Sequence, residues 1–250
     1  MQTSTRRTLD ILYQDEWLVA VDKPSGIHVH PTHLSRGEDS CRRILRDQLG
    51  RRVYTVHRLD RATSGVLLVA LDVDTARALN RLFEERQVKK QYLAVVRGYT
   101  EAQGVIDHPL RKVRFGEPKP ARTEYRRLAT VELPYAVGKF PTARYSLVEI
   151  YPHTGRKNQI RRHFNHIAHP IIGDTAYGDN KHNRFFREHF GIHRLLLMAT
   201  ELSFVHPHTG QPLTIRAPIP AEVAKVLESL GWLEVCRERG YALPAPEEDF

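Results

Sequence analysis

Cysteine is scarce: Cys41 and Cys236 are the only two in 250 residues. Two thiols cannot form a disulfide framework or a four-cysteine zinc site, and such usage suits a reducing cytosol. Metal-site signatures are also missing. No HExxH occurs, the set His163, His166 and His169 shares no clean face with an acid, and His28, His30 and His33 have no cysteine to support them. Neither GxGxxG nor GxxxxGK[ST] is present, which removes phosphate cradling by a glycine-rich loop, and the lack of GxSxG removes a serine elbow. No apolar run approaches the roughly 20 residues of a membrane helix. The polar start carries Arg6 and Arg7 with no apolar stretch behind them, so a secretory signal is not expected. The expectation is a soluble cytoplasmic protein, with little weight on a metal site.

Lysine is scarce too, at 9 against 29 arginines, yet the formal net charge is +9. That excess points to a polyanionic partner, and the arginine bias favours the planar donor fork that binds phosphate and stacks on bases. Residues 221–250 hold seven acids and three bases, net −4, so the first 220 residues hold 35 bases against 22 acids, net +13. The partner surface is expected in that first part, and the acidic tail on a face turned away from it.

Along the chain, residues 9–12 and 16–21 read as short strands, the second closed by the turn residues of Asp22-Lys-Pro-Ser-Gly26. Residues 40–49 read as a helix with Ser40 as N-cap. Residues 66–70 form an apolar run suited to a strand covered on both faces, 75–86 a helix through Leu79, Leu82 and Phe83, and 92–96 a strand. Residues 107–124 hold three prolines and many cations and read as a basic loop or hairpin, or a plain solvated linker. Strands are expected at 123–132 and 144–150, a helix over 157–169, strands at 194–199, 202–205 and 213–215, and a helix over 221–230. Many short strands with interspersed helices predict an α+β fold with a largely antiparallel or mixed sheet. One domain is expected over 1–240, with 241–250 as a flexible acidic tail.

Two constellations carry chemistry. In His57-Arg-Leu-Asp-Arg-Ala-Thr-Ser-Gly65 a single carboxylate, Asp60, lies between two arginines. Their charge is expected to keep it ionised, which suits a nucleophile; a loop ion pair is the alternative. No second acid stands nearby for glycosidase-type chemistry. The second constellation runs from Tyr151 to His163. On a helical wheel Ile160, Phe164 and Ile167 form one stripe and Arg161 borders it, so its head can reach a buried carboxylate. Arg156 and Lys157 fall at the expected helix start, where the macrodipole disfavours cations; a nearby anion or a solvated helix end would account for them.

The first constellation resembles the HRLDxxTSG motif of the RluA family of RNA pseudouridine synthases. Leu18-Val-Ala-Val-Asp-Lys-Pro-Ser-Gly26 is similar to its LVVNKPxG segment, Thr154-Gly-Arg-Lys-Asn-Gln-Ile-Arg161 to its TGRxHQIR motif, and residues 169–174, 194–199 and 202–207 follow its order. Asp22, Asn158 and Met198 depart from the Asn, His and His usual there. The resemblance implies a bent, mainly antiparallel or mixed sheet in two halves, with the active site in the cleft between them. It implies isomerisation of uridine to pseudouridine without cofactor or metal. Asp60 would be the nucleophile, Arg161 its partner, and Tyr92 a contact to the base that assists proton removal from C5. Arg58 would fill the stack vacated by the flipped base, with His57, Arg156 and Lys157 on the RNA and Leu195 and Leu197 walling the pocket. Residues 9–26, 128–134 and 139–152 look most like the branch acting on uridine 65 in the T stem of tRNA, and an S4-like domain ahead of the catalytic part is not expected. Ribosomal RNA as substrate, or an RNA-folding role without catalysis, are the alternatives. A monomer needing no protein partner and no membrane is expected.

Overall fold

The computed structural model describes residues 7–30, 39–112 and 116–244. The first part of the chain forms β1 (Asp10–Gln14), β2 (Leu18–Lys23), α1 (Cys41–Leu49), β3 (Tyr54–Thr55), β4 (Ser64–Ala70) and α2 (Val73–Glu84). Side chains alternate across a strand. Val19, Val21, Leu67 and Val69 therefore bury against Ile44 and Leu45 of α1, while Leu18, Ala20, Leu68 and Ala70 bury against Ala76 and Leu79 of α2. Cover on both faces is the reason β4 reads as an unbroken apolar run. Each of the valine, leucine and isoleucine side chains contributes about 1.5–3 kcal/mol when fully buried. Ser40 accepts a hydrogen bond from Arg43 N at 3.3 Å to start α1, and Asp72 accepts from Thr75 N at 2.8 Å to start α2.

The second part comprises β5 (Lys89–Arg97), β6 (Gln103–Asp107), β7 (Leu110–Arg111), β8 (Pro118–Lys119), β9 (Arg122–Leu133) and β10 (Ala143–Pro152). There follow α3 (Gln159–His166), α4 (Asn180–Phe190), β11 (Leu197–Val205), β12 (Pro212–Arg216), α5 (Ala221–Ser229) and α6 (Leu233–Glu238). One sheet runs β1-β2-β4-β11-β5-β10-β9-β6, with β12 on β11 and β3 on β4. Every pairing in it is antiparallel except β4 with β11. This is an α+β arrangement of two antiparallel halves. They join through two residue pairs, Met198 with Ser64 and Ala199 with Gly65. Gly65 has φ +110°, and a Cβ there would lie 2.0 Å from Ala199 O. Only glycine lets the two halves come that close.

Within residues 107–124, read as a basic loop or hairpin, β7 pairs with β8 in a hairpin extension, with 113–115 outside the described residues. Three expectations are corrected by this architecture. The strands expected at 194–199 and 202–205 are one strand, β11, broken only by a register shift against β5 between Ala199 and Glu201. α4 was not anticipated, because Phe186 and Phe190, four residues apart, sit among charged residues. The flexible tail does not begin at residue 241: Tyr241 Oη donates to Glu149 Oε1 at 2.9 Å, and Ala242 O accepts from Ile219 N at 2.8 Å. Residues 245–250 lie outside the described residues.

Candidate active site

Asp60 lies in the loop that enters β4 where the two halves meet. The Lys23-Pro-Ser-Gly26 turn grips that loop from below. Lys23, wholly buried, donates its Nζ to Pro24 O at 2.9 Å, Arg61 O at 3.1 Å and Thr63 O at 2.7 Å. Ser25 Oγ donates to Ala62 O at 2.7 Å, and Gly26 N to Arg61 O at 2.8 Å. Burial pushes the Lys23 ammonium down to about 8. The three carbonyls take the place of water around it, fixing the backbone just after Asp60.

Arg161 reaches the site from α3. Its Nε donates to Asp174 Oδ2 at 2.7 Å and its Nη2 to Asp174 Oδ1 at 2.7 Å, while Nη1 stands 3.7 Å from Asp60 Oδ2. The buried carboxylate that takes both parallel bonds is thus Asp174, and Asp60 receives the remaining face of the guanidinium. Asp174 Oδ1 also accepts from Ala176 N and Tyr177 N, each at 2.9 Å. These donors hold its carboxyl below the usual range even though burial opposes them. The Tyr177 ring lies 5.3 Å from Arg161 Cζ. Asp174, Asn158, Tyr177 and Lys23 were given no role by sequence reasoning. Their signal, polar residues beside apolar runs in the motif segments, is too common to single them out.

Asn158 has φ 55° and precedes α3 without capping it. An amide oxygen aimed at a carboxylate would be repelled. With its nitrogen so aimed, Asn158 donates to both Asp60 oxygens at 3.0 Å and its oxygen accepts from Tyr177 Oη at 3.2 Å. The Asp60 carboxyl is nevertheless raised above its ordinary value, first by burial, with Arg161 and Arg58 pulling it down and Asp174 adding to the rise. The expectation that flanking arginines alone set it low is corrected: desolvation exceeds their attraction. Tyr92, on β5 opposite Ala199 and Ile150, packs between the two halves. Burial, with the Asp60 charge, pushes its phenol well up, so it stays protonated.

Leu195 and Leu197 are buried with Tyr92, Ile160 and Phe164, on the face of the sheet that α3 covers. Arg58 is exposed beside Asp60. His57 does not join the site surface. Its Nε2 accepts from Leu68 N at 2.8 Å, its ring stacks on Phe83 at 4.9 Å, and burial pushes it down to about 3. The backbone of β4 takes one of its two ring nitrogens, and the ring packs on α2. Arg156 and Lys157 precede α3, which begins at Gln159 and not at 157 as expected, so they do not oppose its dipole from within the first turn. Arg156 Nε donates to Pro120 O of the hairpin at 3.1 Å, and Lys157 is exposed. Gln159 ties this loop to β9 through Arg122 O and Thr123 Oγ1, both at 3.0 Å. Among the described residues no group of three or more His, Cys, Asp or Glu side chains is placed to hold a metal ion, and no helix is long and apolar enough to cross a membrane.

The site can present one carboxylate, backed by a guanidinium and the Asn158 amide, beside Tyr92. Comparison with known proteins gives the family. The sequence profile of the family described as RNA pseudouridylate synthase matches residues 17–166. "tRNA pseudouridine synthase C" of Pectobacterium carotovorum is 52% identical over 249 residues, spanning 95% of this chain and 66% of that protein. The Vibrio cholerae protein of the same name is 48% identical, spanning 90% of this chain and 97% of the relative. Among solved structures, human RNA pseudouridylate synthase domain containing 4 superposes with a TM-score of 0.67 at 25% identity, covering 89% of this chain and 93% of that one. Domain containing 1 gives 0.69 at 24% identity, over 98% and 100%, and supports the fold alone. With more than half of the chain matched by the profile, and its HRLD segment carrying the carboxylate at the join of the two halves, this chain belongs to the RNA pseudouridylate synthase family.

Proposed function

We propose that the protein isomerises uridine to pseudouridine in tRNA, at uridine 65 of the T stem, with Asp60 as nucleophile. The observation that carries the reading is the position of Asp60: its side chain is 18% exposed, at the junction of the halves, with Arg161 Nη1 3.7 Å away. It is open enough to attack and dry enough for its charge to count. The names of the relatives support tRNA as the substrate, and the likeness of residues 9–26, 128–134 and 139–152 supports position 65.

Asp60 adds through a carboxylate oxygen to C1′ of the ribose or to C6 of the base. In both routes the N1–C1′ bond breaks, the uracil turns, C5 bonds to C1′, and the Asp60 oxygen is released. C5 loses a proton and N1 gains one, so the product is an isomer. Tyr92 packs against the ring. Being held protonated, it can accept the C5 proton only after giving up its own, so its first task is contact. A stem uridine must leave its helix to reach Asp60, and exposed Arg58 fills the gap. Lys157 and the cations of the hairpin meet the phosphate backbone, placing the RNA without reading bases.

Purified protein with a tRNA transcript and no added metal is expected to produce pseudouridine at position 65, read by carbodiimide-dependent primer extension. Asp60→Ala should lower single-turnover rates on the order of 10³-fold or more while still binding tRNA. Product from the Asp60→Ala protein would sink the mechanism. Modification confined to ribosomal RNA would replace the substrate.

A further inference from the structure

Asn158 occupies the N-cap position of α3, and its residue type is among the best at capping. In α1, α2 and α4 the N-cap residues Ser40, Asp72 and Asp179 each accept a hydrogen bond from their own helix. Asn158 does not, and it adopts the left-handed conformation at φ 55°. Asparagine tolerates that conformation better than most residues. Its side chain is spent elsewhere. The carboxylate selects the orientation that turns the amide nitrogen toward it, 3.0 Å from each Asp60 oxygen, and in that orientation Tyr177 Oη donates to the amide oxygen at 3.2 Å.

We propose that Asn158 is a positioning residue that keeps Asp60 ionised and aimed, through a bifurcated amide donation supported on its far side by Tyr177. The inference rests on the reading of Asp60 as nucleophile. The need for such a donor follows from the site. Asp174 has claimed the two parallel bonds of Arg161, leaving Asp60 a contact of 3.7 Å. The groups facing Asp60 are Arg58 from its own loop, Arg161 from α3, Asp174 beyond α3, Tyr92 from β5 and Lys23 from β2. Tyr177 stands behind Asn158. Of these, Arg58, Arg161 and Lys23 favour the carboxylate, Asp174 opposes it, and Tyr92 is protonated. An amide N–H at 3.0 Å favours the ionised form without adding a charge of its own. The RluA-type motif has a histidine at this position; here an uncharged amide makes the support independent of pH.

The test separates the amide from the backbone. Asn158→Gly keeps the left-handed conformation and removes the donor, and Asn158→Asp keeps the shape and reverses the polarity. The carboxyl carbon of Asp60, identified by the loss of its signal in Asp60→Asn, is titrated by NMR in the free protein. Its midpoint should rise by about one pH unit in Asn158→Gly, the size expected of one charge-assisted hydrogen bond. It should rise further in Asn158→Asp, and less in Tyr177→Phe. In the activity profile, kcat of Asn158→Gly should fall about tenfold at the acid end, with a smaller loss on the alkaline plateau and KM for tRNA unchanged; Asn158→His should restore part of it. An unmoved Asp60 midpoint in Asn158→Gly, or a loss equal at all pH values, overturns the proposal. The NMR titration needs no turnover, so a protein inactive on tRNA would sink the proposed function and leave this inference to be decided by the midpoint.

Discussion

Asp60 and Asp174 lie against one guanidinium, but Asp174 takes two bonds of 2.7 Å from Arg161 while Asp60 comes no nearer than 3.7 Å. The Asp174 side chain is 1% exposed and that of Asp60 18%. Asp174 has four donors, two from Arg161 and two from the turn at Ala176 and Tyr177, and its carboxyl is held low. Asp60 has the amide of Asn158 and its carboxyl is held high. One region is finished by the fold and the other is left wanting a partner. A carboxylate with every lone pair satisfied is a poor nucleophile; one short of donors in a dry cleft still has something to gain from a transition state.

The largest effects come from removing each acid in turn, measured by urea unfolding and single-turnover kinetics. Asp60→Asn should abolish activity while leaving stability unchanged or raised, because it removes a charge whose burial exceeds its attraction. Asp174→Ala should destabilise by about 3–5 kcal/mol, since it strips a buried guanidinium of both its short bonds. It should also lower activity by freeing Arg161 to move. If the two variants lost equal stability, the division between a structural and a reactive carboxylate would be wrong.

A sharper test uses pH, because the two shifts have opposite sign. A carboxyl held low in the fold stabilises above its unfolded value and loses that stabilisation as pH falls through the folded one. Asp174 therefore contributes at neutral pH and fails in acid. A carboxyl held high binds its proton more tightly in the folded state, so stability declines as pH rises from the unfolded value through the folded one. Asp60→Asn should thus gain on the wild type as pH climbs from about 3 to neutrality, and Asp174→Asn should lose over the same range. Urea midpoints across that range decide it. Parallel curves would refute the assignment.

This contrast also marks where the sequence stops being legible. The HRLDRATSG segment announced Asp60, and the helical wheel sent Arg161 toward a buried carboxylate. Which carboxylate was not readable, because Asp174 lies 13 residues further on and reaches Arg161 only through a turn that Asn183 holds with Asp174 O at 2.8 Å and Gly173 N at 2.7 Å. His57 shows the reverse failure. It stands inside the motif and looks available, but a β4 amide that no local pattern reveals takes its Nε2. Elements were legible where both faces are apolar, as in β4, and illegible where burial is one-sided among charged residues, as in α4. Tertiary partners decided each case the spacing left open.

The smallest effect belongs to a third acid. Glu149 is 1% exposed and pairs across β10 and β5 with Leu93, so it faces away from Tyr92. Tyr241 Oη donates to it at 2.9 Å, Arg239 Nη2 at 2.7 Å, and the Tyr151 hydroxyl binds it as well. It therefore fastens the end of the described chain to the back of the sheet, as Asp174 fastens Arg161 to the front. Because Gln91 Nε2 also donates to Glu149 at 3.4 Å and four donors share the load, Tyr241→Phe should cost only about 1–2 kcal/mol in urea unfolding. Pseudouridine formation should stay at the wild-type rate, since the lost bond lies on the opposite face from Asp60. A loss of activity larger than the loss of stability would mean that the two faces are coupled through β5, and that the back of the sheet helps to set the front.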